Sequence, residues 1–161
     1  MKRVILGIVV AVAMSVMVPV IENGDAVALA APAVSHSIPV TTADLSALTA
    51  AFIRYKLHYK EMLSTDRIIW GRVRSRKGLV RAEIAYDAVD HREWAFANFN
   101  LVLPASMKAE ISFQDGGSYG IFNRVGSGAW FMIGEPGIPL CAKEFPAVVA
   151  HLWGMDTYAT C

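Results

Sequence analysis

The densest group of residues that could support chemistry lies in a short polar segment near the middle of the sequence. Asp87, Asp90, His91 and Glu93 combine carboxylates with an imidazole that titrates near neutral pH. Such groups transfer protons or bind cations, but their spacing matches neither a H-E-x-x-H zinc motif nor an EF-hand loop. An Asp-rich turn between two strands explains the same residues, because Asp favours turns. A polar functional site and a solvated turn are therefore both open.

A second candidate is a run of arginines at alternate positions. Arg72, Arg74 and Arg76 would lie on one face of a regular strand, because side chains in a strand alternate with a period of two. Trp70 would share that face, and Lys77 and Arg81 follow closely. This surface could bind an anionic partner such as an envelope component or another exported protein. A solvated sheet face that resists aggregation is the alternative interpretation.

The other reactive residues form no recognisable catalytic or metal-binding pattern. The four histidines are scattered, and Ser127 lies in a Gly-Ser-Gly turn rather than in a nucleophile elbow. Cys141 and Cys161 form an even pair in a chain expected to be exported, so we predict a disulfide between them. We expect no metal and no cofactor.

The first 30 residues have the composition of a secretory signal peptide. Lys2 and Arg3 precede an apolar run at 4–20, and Ala28 and Ala30 supply the small residues of a cleavage site. We therefore predict a secreted bacterial protein with no stable membrane span after cleavage. An uncleaved N-terminal anchor is the alternative.

The remaining part of the chain is long enough for one domain. Roughly 130 residues can bury a hydrophobic core without many covalent links. The net charge of +1 lacks the strongly basic balance that is typical of nucleic-acid-binding proteins. We expect residues 31–40 to be a flexible lead-in and residues 41–161 to form a single domain.

The first predicted element of this domain is a helix. Thr41 and Asp44 have the spacing of a capping box. Large apolar residues then follow at steps of three and four as far as Met62, which places them on one face of a helix. Asp44, Lys56 and Lys60 lie off this apolar face and are expected to face water.

Short strands separated by turns follow the helix. The predicted strands are Ile68–Arg74, Leu79–Tyr86, Trp94–Leu103, Ala109–Phe113, Tyr119–Val125 and Ala129–Gly134, and Pro146–Trp153 is a short helix. Alternation in the second strand predicts one buried face. If the arginine face is only solvated, Glu83 could pair with an arginine across the first hairpin. The order predicts an α+β fold, in which one long N-terminal helix packs on an antiparallel sheet of four to six strands. A short C-terminal helix would be tied to it by the disulfide.

Several short motifs suggest a family. These are Trp94-Ala95, Gly128-Ala129-Trp130, Gly137, Cys141, Pro146, Val149 and Trp153. In this order they resemble motifs of small secreted actinobacterial proteins of unassigned function, in which a signal peptide precedes one compact domain. The resemblance brings no catalytic residues. The element order is also similar to that of cystatin-like or NTF2-like folds, which does not by itself indicate a function.

Taken together, these features predict a secreted, non-enzymatic binding module. The arginine face is its first candidate surface. The alternative is a small exported hydrolase or ligand-binding domain, in which the polar residues near His91 would face a pocket on the sheet.

Overall fold

The structure, a computed structural model, describes residues 34–114, 117–136 and 146–154. These residues form an α+β fold with antiparallel strand pairing, as predicted. Its elements are β1 (His36–Ile38), α1 (Thr42–His58), β2 (Arg67–Trp70), β3 (Val73–Ser75), β4 (Gly78–Val80), β5 (Ala82–Asp87), β6 (Arg92–Val102), α2 (Met107–Ser112), β7 (Tyr119–Val125), β8 (Phe131–Gly134) and α3 (Ala147–Trp153). The predicted signal peptide and the predicted Cys141–Cys161 disulfide lie outside the described residues.

Helix α1 begins at the predicted capping box. The Thr41 hydroxyl accepts a hydrogen bond from the backbone N–H of Asp44 at 3.1 Å, and the Asp44 carboxylate accepts one from the Thr41 N–H at 3.1 Å. The helix ends at His58, one turn before the predicted limit, because Lys60 adopts a left-handed conformation with φ of 59°. The helix is not the first element, since β1 forms within the predicted flexible lead-in.

The strands form one six-stranded sheet and one separate hairpin. The sheet has the order β1-β5-β6-β7-β8, and β2 pairs with the C-terminal half of the long central strand β6. Strands β3 and β4 form the hairpin. No helix of the described residues is both long and apolar enough to cross a lipid bilayer.

Both faces of the sheet are covered, so the core has two parts. On one face, Leu48 and Phe52 of α1 pack against β5, β6 and Phe122. On the other face, Val149 and Trp153 of α3 pack against β3, β6 and their neighbours. The prediction of one buried face for β5 is therefore wrong, because α3 and the β3–β4 hairpin cover the second face. As a result Glu83 is buried and not exposed.

The first predicted hairpin differs from the observed one. The chain leaves β2 at Gly71, whose N–H donates to the Asn98 carbonyl oxygen at 2.9 Å. A Cβ at Gly71 would lie 1.6 Å from Asn98 Oδ1, so a larger residue here would force the Asn98 side chain to move. Strand β2 pairs with β6 instead of Leu79–Tyr86, and the hairpin is reduced to β3 and β4.

The predicted strand Ala109–Phe113 is also wrong, because this segment lies in and just after helix α2. The hydroxyl of Ser106 caps the helix by accepting a hydrogen bond from the Ala109 N–H at 3.2 Å. The Asp66 carboxylate accepts hydrogen bonds from the Ser106 N–H at 2.8 Å and from the Ser106 hydroxyl at 2.6 Å, and these bonds hold Ser106 in place. The later predictions are confirmed, since β7 and β8 form the expected hairpin and α3 occupies the expected position.

Candidate ligand-binding groove

A groove lies beside the start of β5, between the β1–α1 connection and the β3–β4 hairpin. Its volume is about 610 Å³, within the range of small-molecule sites. Its apolar wall is formed by Pro39, Val40, Leu45, Leu79 and Val80. The side chain of Leu79 is 62% exposed although it is apolar. The β3–β4 hairpin therefore presents an apolar surface to the groove.

Charged residues complete the groove. Arg72, Lys77 and Arg81 line it and are exposed, whereas Glu83 is only 2% exposed. Lys77 Nζ donates a hydrogen bond to Glu83 Oε2 at 3.0 Å. The predicted partner of Glu83 was an arginine, so this pairing is a correction. With three cations and one anion the charged lining has an excess of positive charge, which favours an anionic ligand.

The structure separates the residues of the predicted arginine face. Arg72 lies in the β2–β3 connection and lines the groove, Arg74 lies in β3, and Arg76 lies in the hairpin turn. The backbone N–H of Arg76 donates to the Trp153 carbonyl oxygen at 3.1 Å. The three arginines therefore do not follow one regular strand, because the chain turns away at Gly71.

Trp70 does not lie on a binding surface with these arginines. Its ring packs against that of Phe99, with 4.6 Å between the centroids, and it is half-buried against the core that contains α1. The period-two pattern predicted that Trp70 shares a face with the arginines. That prediction required one regular strand through Gly71, which the chain does not form.

The polar segment near His91 forms a turn whose carboxylates have local partners. The buried Asp87 carboxylate accepts hydrogen bonds from the Val89 N–H at 2.9 Å and from the Ser35 hydroxyl at 3.2 Å. Asp90 accepts one from Trp94 Nε1 at 3.0 Å. These bonds fix the turn between β5 and β6.

The other two residues of this segment point to different neighbours. His91 has φ of 57°, and its Nδ1 lies 3.1 Å from the Tyr86 hydroxyl. Glu93 accepts a hydrogen bond from Arg124 Nε at 2.7 Å. Neither residue lines the groove, and Asp87 and Asp90 do not line it either. The structure therefore places none of the four polar side chains of this segment in the groove.

A buried lysine that the sequence analysis missed forms a second polar cluster. Lys56 was expected to face water but is fully buried. Its Nζ donates to Ser112 Oγ at 2.7 Å, lies 2.9 Å from a Glu61 oxygen, and pairs with Glu135. The partners are far from Lys56 in sequence, apart from Glu61. We call Lys56, Glu61, Ser112 and Glu135 the lysine cluster.

Burial raises the pKa of Glu135 to about 7, and nearby Glu61 adds to this rise, although Lys56 opposes it. Burial acts in the same direction on Glu61, but hydrogen bonds, first of all from Lys56, outweigh it and hold the pKa of Glu61 below its usual value. Between about pH 4.5 and 7 the two carboxyl groups therefore carry about one proton between them, on Glu135.

The lysine cluster suits a structural role better than nucleophilic catalysis. A serine nucleophile needs a neighbouring base that can accept its proton. Lys56 Nζ instead donates to Ser112 Oγ, and the Ser112 hydroxyl donates to Glu61 Oε2 at 3.1 Å, a carboxylate that is itself paired with Lys56. The cluster connects α1, α2 and the residue that follows β8, so it fixes these elements relative to one another.

A different cavity, of about 530 Å³, lies between α1 and β8. Tyr55, Tyr59, Phe131 and Ile133 are among its lining residues. Phe131 and Ile133 are exposed on the strand. This α1–β8 cavity is lined by one arginine, Arg54, and by none of the three cations of the groove, so the contacts of a bound ligand distinguish the two spaces.

No match to this chain is found among protein-family models, curated proteins or solved structures. The resemblance to secreted actinobacterial proteins therefore stays a prediction. Within the described ranges, no group of three or more His, Cys, Asp or Glu side chains could hold a metal ion. The described residues therefore form an α+β fold with a cationic, partly apolar groove.

Proposed function

We propose that this chain is a secreted, non-enzymatic binding module that holds an anionic amphiphile in the groove. Such a ligand has an apolar chain and an anionic head group, as envelope lipids and fatty acids do. The observation that carries the proposal is the combination of an apolar wall with three cations in one space of about 610 Å³.

The two parts of the groove match the two parts of such a ligand. Covering the exposed Leu79 and its apolar neighbours removes hydrocarbon surface from water, which favours binding by about 25 cal/mol for each Å². Arg72 and Arg81 can each donate paired hydrogen bonds to a carboxylate or phosphate. An apolar wall alone would also favour an uncharged hydrocarbon, and cations alone would also favour a small inorganic anion. Together they favour a ligand that has both an apolar chain and an anionic group.

The role of the two arginines is tested by titrating the chain with dodecyl phosphate below its micelle-forming concentration in a calorimeter. We expect the double substitution Arg72→Ala and Arg81→Ala to weaken binding about 30-fold, because two charge-assisted contacts are lost at about 1 kcal/mol each. Dodecanol, which has the same chain and no charge, should bind far more weakly than the phosphate.

The matched control removes two other exposed arginines, Arg67 and Arg74, which do not line the groove. This double variant has the same net charge as the first and should bind dodecyl phosphate within about twofold of the natural chain. Equal weakening by both pairs would indicate non-specific attraction and would overturn the groove assignment. Absence of saturable binding to the natural chain would overturn the proposed function.

A further inference from the structure

The groove contains a buried carboxylate whose hydrogen bonding is incomplete. Glu83 Oε2 accepts a hydrogen bond from Lys77, but Glu83 Oε1 is buried and accepts none from the described residues. A carboxylate oxygen that is shielded from water is expected to have a donor. The side chain lines the groove, so a molecule in the groove can supply that donor.

We propose that the natural ligand is a hydroxylated anionic amphiphile whose hydroxyl group donates a hydrogen bond to Glu83. This inference rests on the proposed function and adds the chemical class of the ligand. Glu83 then acts as a specificity-determining residue: it distinguishes a hydroxylated acid from the plain acid of the same chain length.

A neutral hydroxyl fits this position better than a cationic donor. An ammonium group beside Glu83 would also lie near Lys77, Arg72 and Arg81, which line the same groove and would repel it. A hydroxyl group donates a hydrogen bond without that repulsion.

The sequence spacing places the hydroxyl close to the head group. Arg81 directly precedes β5 and Glu83 is the second residue of that strand, so their Cα atoms lie at most about 7 Å apart. If the anionic group binds Arg81, a donor that reaches Glu83 must lie on the part of the ligand next to that group. This geometry is met by a 3-hydroxy acid.

Selectivity arises because Glu83 Oε1 has no hydrogen-bond donor among the described residues of the free chain. A ligand hydroxyl supplies the missing hydrogen bond to this oxygen, whereas a ligand without a donor leaves the oxygen unpaired. The plain acid therefore loses affinity relative to the hydroxylated acid, although its chain and charge are the same.

The experiment compares dodecanoate with 3-hydroxydodecanoate by calorimetric titration of the chain. We expect the hydroxylated acid to bind about tenfold more tightly, and we expect Glu83→Leu to reduce this preference to within about twofold. The ratio of the two dissociation constants is the readout. Glu83→Leu also frees Lys77 from its hydrogen bond to Glu83, which can strengthen the binding of both acids. Glu110→Leu, at an exposed position of α2 outside the groove, should keep the tenfold preference.

A third ligand makes the test independent of whether the Glu83 variant folds. The methyl ether 3-methoxydodecanoate accepts hydrogen bonds but cannot donate one, so it should bind the natural chain no better than dodecanoate. Equal affinity for the hydroxylated and plain acids would overturn this inference alone. A preference that survives Glu83→Leu would also overturn it, and failure of every acid to bind would overturn the proposed function as well.

Discussion

Substitution of Lys56 by methionine should lower the free energy of unfolding by about 3 kcal/mol at about pH 8. Methionine keeps the packing against Phe52 and Phe113, whose ring centroids lie 5.6 and 5.3 Å from Lys56 Nζ. It removes the ammonium group and leaves the carboxyl groups of Glu61 and Glu135 without a counter-charge. Urea denaturation, followed by tryptophan fluorescence, measures the change.

The loss of unfolding free energy caused by Lys56→Met should become smaller as the pH falls, because Glu135 is then protonated and needs no counter-charge. The raised pKa of Glu135 means that the folded chain binds more protons than the unfolded chain between pH 4.5 and 7, so its stability falls as the pH rises through that range. Without Lys56, the pKa of Glu135 rises further and stability continues to fall above pH 7. Glu135→Gln should flatten the natural profile between pH 4.5 and 7.

The control for this prediction is Lys60→Met, which changes an exposed lysine one turn away. Its effect should stay within about 0.5 kcal/mol, as is usual for exposed positions. A Lys56→Met loss no larger than that of Lys60→Met would show that the lysine cluster does not stabilise the fold. A loss that is independent of pH would contradict the assigned role of Glu135.

Substitution of Gly117 by alanine is expected to destabilise the chain by about 3 kcal/mol. An added Cβ would lie 1.6 Å from the backbone carbonyl oxygen of Ser112 and 3.2 Å from Glu135 Oε2. A backbone atom cannot move aside as a flexible side chain can, so α2 would have to shift. That shift would also disturb the lysine cluster, to which Ser112 and Glu135 belong.

Gly134→Ala is the matched control, because an alanine Cβ at this position of β8 meets no atom within 4 Å. Its effect on the free energy of unfolding should be within about 0.5 kcal/mol. Both variants are compared by thermal and urea denaturation. If Gly117→Ala were as stable as Gly134→Ala, the close packing of residue 117 against α2 would be wrong.

Local signals in the sequence were sufficient for several elements. The capping pair Thr41 and Asp44 fixes the start of α1 through bonds between neighbours in the chain. The β7–β8 hairpin likewise depends on a glycine-containing turn between two β-prone runs. Such features require no knowledge of distant residues, and the sequence predicted them correctly.

Elements fixed by distant residues were not predictable in this way. Helix α2 was mistaken for a strand: its cap joins Ser106 and Ala109, three positions apart, but Asp66, 40 positions earlier, orients Ser106. Lys56 was assigned to the solvent face because its partners Ser112 and Glu135 approach it only in the folded chain. A charged residue near the end of an amphipathic helix gives no local sign of such burial.

The groove likewise combines features that the local sequence indicated with features that depend on distant parts of the folded chain. Positive charge near residues 72–81 was evident from the sequence, and Arg72 does line the groove. The period-two rule grouped Arg72 with Arg74 and Arg76, which do not line the groove, whereas Lys77 and Arg81 do. The buried position of Glu83 arises from the second covered face of the sheet, which no alternation within β5 alone could indicate.

The central claim is that the groove, and not another surface, binds an anionic amphiphile. Its most direct test is a titration of the isotopically labelled chain with 3-hydroxydodecanoate, followed by the chemical shifts of the backbone amides. The account predicts saturable shifts that are largest at Val40, Leu79, Arg81 and Glu83, which line the groove. Shifts concentrated in the α1–β8 cavity, or shifts that do not saturate anywhere, would contradict it.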